Sequence, residues 1–107
     1  MRRHLAGRER IFASNLLEAE LRAALAREEV PWSATLVEPI DWILPSRPLG
    51  EEIARALGAG YLRGADLWHV ACALYLSGAL GSPMEFLSLD ARQRSVATSL
   101  GLGVPDL

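Results

Sequence analysis

Glu20, Asp66 and Asp90 are the carboxylates whose placement in this sequence admits chemistry. Asp66 stands near the start of Tyr61–Ser77 (YLRGADLWHVACALYLS), where Leu67, Val70, Ala71, Ala73 and Leu74 recur at helical spacing. An ionised carboxylate beside so apolar a surface is costly unless it is paired, hydrogen-bonded or bound to a metal. Glu20 flanks the Leu17, Leu21 and Ala24 stripe of an earlier helical segment, close enough to the core edge to point over the end of a sheet. Asp90 follows a strand-like run and precedes a helix, the kind of turn at which open parallel sheets bind ligands. If one end of a sheet gathers all three, their charges repel unless a divalent cation neutralises them. Oxygen donors with no partnering Cys or spaced His pair select Mg²⁺ or Mn²⁺ over zinc. Such an ion activates water and stabilises the charge that develops on a phosphodiester, so the chemistry to expect is phosphodiester hydrolysis.

Each of these residues also has a structural role open to it. Asp90 with Gln93 three places later fits a capping box, as do Asn15 and Glu18, which accounts for Glu18 without function. Asp66 is placed to serve a helix N-terminus, a role worth only about 1 kcal/mol. His69, one turn after Asp66, suits a satisfied core histidine better than a ligand or general base. Trp68 and Tyr75 read as packing or interface residues rather than base-stacking platforms. Arg63 is placed to touch a phosphate or to pair with neighbouring acids, and Arg8, Arg10, Arg92 and Arg94 form either the rim of a site or a solvated basic face.

The elements that must position these side chains alternate in type. Apolar runs at 10–14, 32–40 and 84–89 read as strands, with a last short one at 102–104. Segments 15–29, 51–57, 61–77 and 91–100 read as helices, punctuated by Val30 before Pro31, by Gly58 and Gly60, by Gly78 and Gly81, and by Gly101. Residues 41–50, with Pro45, Pro48 and Gly50, read as an irregular connection. Near-continuous apolar strands between helices predict an α/β fold, a parallel sheet covered by helices on both faces.

At 107 residues, half of them hydrophobic, the chain suits one domain spanning 1–107. The net charge is −2 and all 11 basic residues are arginine, so there is no basic footprint of the kind nucleic-acid domains carry. Cys72 is the single cysteine, inside the apolar helix, which excludes an internal disulfide. No run is long enough for a membrane span and the basic MRRH start lacks a following apolar segment, so a cytoplasmic protein with no membrane association is expected.

Three blocks resemble the PIN-domain ribonucleases, most closely the VapC-type toxins of toxin–antitoxin pairs. IFASNLLEAELRAAL is similar to the family's strand–Ser–helix segment, in which a metal-site glutamate comes six residues after the Ser or Thr; Ser14 and Glu20 fall there. LRGADLWHVACAL matches the helix that begins with an acid, at Asp66 and His69, and FLSLDARQRSVATSLGL matches the strand with Ser or Thr two places before an acid, at Ser88 and Asp90. The resemblance spans Ile11 to Val104. It implies a three-layer α/β/α sandwich with a parallel sheet, a Mg²⁺ or Mn²⁺ site of Glu20, Asp66 and Asp90 supported by Ser14 and Ser88, endoribonuclease activity on RNA, and neutralisation by an antitoxin. One part of the family pattern has no counterpart: nothing before Ile11 resembles the first, central strand or its aspartate. Loss of that strand would open edges that a homodimer could close, with Trp42–Leu44 as a contact surface. Two alternatives follow: a catalytically incomplete PIN-like module that binds partners or oligomerises, and a small α/β domain whose acids are all caps.

Overall fold

After Asp66, residues 67–80 carry no Asp, Glu, Arg or Lys, so a helix there has no charged face to offer solvent and must be surrounded. The computed structural model, which describes residues 10–82 and 84–106, surrounds it. Strand β1 (Ile11–Ser14) leads to helix α1 (Leu17–Arg27), a 3-10 turn (Ala34–Val37), strand β2 (Ile40–Ile43) and helices α2 (Gly50–Ala59), α3 (Gly64–Leu80) and α4 (Ala91–Ser99). Val70, Ala71, Cys72 and Leu74 of α3 are buried and face three directions. Ala71 and Cys72 pack with Ile43 and Leu49. Val70 joins Ala56, Leu62 and Val96, while Leu74 joins Ala97 and Leu102.

The fold is α/β with a parallel strand pair, as the sequence predicts, but only the first of the four expected strands keeps its place. The second strand is not at 32–40: Ala34–Val37 winds as a 3-10 turn and pairing starts at Ile40, after Pro39, which has no N–H to give a ladder. From there Ile11 to Ser14 pair in parallel with Ile40 to Ile43, which brings Ile43 into the core. The runs expected as strands at 84–89 and 102–104 meet in a single parallel bridge, Glu85 to Gly103, with Phe86 N–H donating to the Gly103 carbonyl at 2.6 Å and Gly103 N–H to that of Met84 at 3.0 Å. A cavity of about 570 Å³ separates the two pairings, lined by Ile11, Phe12 and Ala13 on one side and Met84, Phe86 and Leu87 on the other.

Helix α3 runs past Gly78 to Leu80, since one glycine in a well-packed helix costs only about 1 kcal/mol. It stops where Gly81 turns left-handed (φ 66°) and donates to the Ser77 carbonyl. The stretch 41–50 is irregular but anchored. Arg47 grips Glu52 through both guanidinium nitrogens, at 3.0 and 2.6 Å, and lies 5.3 Å over the Tyr75 ring, whose hydroxyl accepts from Ser46 N–H. No helix among the described residues is long and apolar enough to cross a membrane.

Burial pushes the Cys72 thiol up to about 11, which leaves it protonated and without solvent access at neutral pH. In the native protein at pH 8, Cys72 is expected to resist Ellman's reagent over hours and to react fully once urea unfolds the chain. Rapid native labelling contradicts this packing.

Candidate functional site

The three segments that carry the candidate residues meet at the first two turns of α3. Ser14 ends β1, nearly buried at 4 % exposure, and its hydroxyl accepts from the Leu16 N–H at 3.3 Å. That turn passes the chain into α1, whose half-buried stripe of Leu17, Leu21 and Ala24 leaves Glu20 on the exposed side. Ser14 Oγ lies 2.6 Å from His69 Nδ1, and His69 Nε2 lies 2.5 Å from Glu20 Oε1. His69 is therefore not merely a core residue: both ring nitrogens are bonded, and it joins β1 and α1 to α3.

Asp66 lies three residues before His69 on α3 and thus on the same face of that helix. Glu20, held by His69, belongs to that side as well. The Asp66 carboxylate makes no hydrogen bond among the described residues, but its backbone carbonyl accepts from Gln93 Nε2 at 3.2 Å. Gln93 is the second junction. Its Oε1 accepts from the Ser88 hydroxyl at 2.6 Å, and its backbone N–H donates to Asp90 Oδ1 at 2.7 Å. The Ser88 hydroxyl in turn accepts from the Asp90 N–H. Asp90 is thus the N-cap of α4, as the spacing predicts, with Oδ2 left over. In place of the reciprocal half of a capping box, the Gln93 side chain reaches across to α3.

The other expected box is absent. The N-cap position of α1 is Leu16, with no side-chain cap; Asn15 instead accepts from the Trp68 indole N–H at 3.0 Å, and Glu18 pairs with Arg22 at 3.2 Å. Arg10 is bonded to Asp41 at 2.9 Å and sits over Phe12. Arg94 donates to the Ser88 and Pro105 carbonyls and to Asp106. Neither is a spare rim cation. Arg63 and Arg92 are exposed, and Arg8 lies outside the described residues.

Sequence reasoning missed the junction roles of His69 and Gln93. His69 is a polar side chain in an apolar run, and that was the available signal, since a buried polar group needs partners; Gln93 stands between two arginines, where the sequence suggests only the capping box. Gln93 is 7 % exposed.

Among the described residues no three His, Cys, Asp or Glu side chains stand together as a ready cage for a metal ion. A Mg²⁺ ion does not need one, since it commonly takes one or two carboxylates and fills its octahedron with water and substrate phosphate. The donor set suits that ion: Asp66 and the second oxygens of Glu20 and Asp90 carry no hydrogen bond among the described residues.

Fold and site together define an α/β domain with a polar network at the mouth of a buried helix. Searches against protein-family models, curated proteins and solved structures find no match for this chain.

Proposed function

We propose that the chain is a PIN-like domain of the VapC type, a Mg²⁺- or Mn²⁺-dependent endoribonuclease with Glu20, Asp66 and Asp90 as its acids. The observation that carries this reading is the convergence of three distant segments on the first two turns of α3, through two hydrogen-bonded junctions, one at His69 and one at Gln93. Ser14 and Ser88 hold those junctions from the two flanking segments. The cation, bound through the free carboxylate oxygens, would supply an activated water and charge stabilisation at the scissile phosphate. A cytoplasmic RNA substrate, an antitoxin partner and a homodimer belong to the same proposal, with the exposed Leu44 as a contact residue.

A second reading is favoured by the lack, among the described residues, of a ready three-acid cage: a catalytically incomplete module that binds partners or oligomerises. Cleavage of a fluorophore-quenched single-stranded RNA with Mn²⁺ separates the two. The nuclease reading expects turnover that falls at least about 100-fold in Asp66→Asn, equivalent to about 2.7 kcal/mol of barrier. A folded sample that neither cleaves RNA nor binds Mn²⁺ overturns it in favour of the partner-binding module.

A further inference from the structure

Glu20 is exposed at the start of a helix whose side chains are nowhere fully buried, a setting in which a carboxylate would ordinarily sample several rotamers. It does not stand alone there. His69 reaches it from a different element, and the ring is itself fixed from behind by Ser14. The directions of these bonds follow from the inventory of donors. The Leu16 N–H donates to Ser14 Oγ, which leaves the Ser14 hydroxyl proton for another acceptor. The Glu20 carboxylate accepts only, so His69 Nε2 must carry the proton between them. With a neutral ring, Nδ1 is then the acceptor for the Ser14 hydroxyl, and every proton in the chain from Leu16 to Glu20 has one place to be.

We infer that His69 is the positioning residue for Glu20: backed by Ser14, it immobilises one carboxylate oxygen and leaves Oε2 to a divalent cation. The inference rests on the reading of Glu20 as a cation ligand. Outer partners of this kind orient a ligand before the ion arrives, and their loss typically weakens metal binding about 10- to 100-fold. Two features separate the arrangement from ordinary core packing. The His69 side chain is 19 % exposed and the Glu20 side chain 42 %, so the pair sits at the surface, where an exposed hydrogen bond adds little stability. The order Ser14, His69, Glu20 also runs outward from the buried strand end, so its rigidity is inherited from β1.

Two measurements test it. Ring ¹⁵N shifts of His69 in the metal-free protein at pH 8 are expected to report the Nε2–H tautomer in wild type and a loss of that preference in Glu20→Ala. A ring protonated on Nδ1 overturns the chain of bonds and the inference with it. Mn²⁺ affinity by electron paramagnetic resonance is expected to fall about 10- to 100-fold in His69→Phe, with partial recovery in His69→Gln, whose amide can donate to Glu20. If Glu20→Ala weakens Mn²⁺ binding but His69→Phe does not, the positioning role is overturned while the cation reading stands. If wild type binds no Mn²⁺, or Glu20→Ala binds it unchanged, both fall together.

Discussion

Truncation of Leu49 to alanine is expected to lower the unfolding free energy by about 2–5 kcal/mol, read as an earlier urea midpoint with an unchanged slope. Leu49 is 2 % exposed and among the largest fully buried side chains described. It sits at the N-cap position of α2, where its carbonyl accepts from the Ile53 N–H at 2.9 Å. The backbone bond survives truncation, so the loss isolates the side chain. That side chain shares a cluster with Ile43, Ala71 and Cys72, which come from β2 and α3 and cannot close the gap without moving a strand or the central helix. Against a total of about 5–15 kcal/mol for a domain of this size, the variant would stand near the edge of folding. Leu89→Ala is the matched control: Leu89 is 84 % exposed and its truncation is expected to change stability by no more than about 0.5 kcal/mol.

Glu52→Gln carries the second large effect. Glu52 lies in α2 with a side chain 9 % exposed, and the hydrogen bonds from Arg47 hold its carboxyl below the usual glutamate value of 4.5. A carboxyl so depressed stabilises the fold fully above the unfolded value. That contribution is lost as pH falls through the lower value of the folded state. At pH 7 the substitution is expected to cost about 1–2 kcal/mol, the lower part of the range for a buried charged hydrogen bond, because half of the Arg47 side chain remains in water. As pH falls from the unfolded value of 4.5 through the lower folded value, the gap in urea midpoint between wild type and variant should close. A constant gap across the acid range would mean that packing, not ionisation, sets the role of Glu52.

The sequence was most legible where apolar residues recur without interruption. Val70, Ala71, Cys72 and Leu74 define a helix that can only be interior, and its burial followed. The Asp90 cap was equally readable, because an Asp at the N-cap acts through its own neighbours. What could not be read depended on residues far apart in the chain. Ile40–Ile43 is the paired strand rather than 32–40 because Ile43 finds Leu49 and Cys72, a tertiary fact that strand propensity does not contain. Met84–Leu87 has the composition of a strand, yet a strand is a ladder, and its pairing with Gly103 is a single rung. His69 looked like core because its neighbours in sequence are apolar; the partners that define it, Ser14 and Glu20, lie 55 and 49 residues away. Glu52 stands in the first turn of α2, where an acid needs no partner to be explained, and the arginine that claims it comes from the irregular stretch before the helix.

The encirclement of α3 has a consequence for biosynthesis. Its buried residues are covered by Ile43 and Leu49, which leave the ribosome before it, but also by Val96, Ala97 and Leu102, which leave after it. A nascent chain that has emerged as far as residue 80 therefore carries the most apolar helix of the protein with one flank bare, and only the arrival of α4 and Leu102 closes it. During that interval Leu74 and Val70 are open to chaperones and to other nascent chains. The late docking of α4 closes that flank and also joins Gln93 to the carbonyl of Asp66.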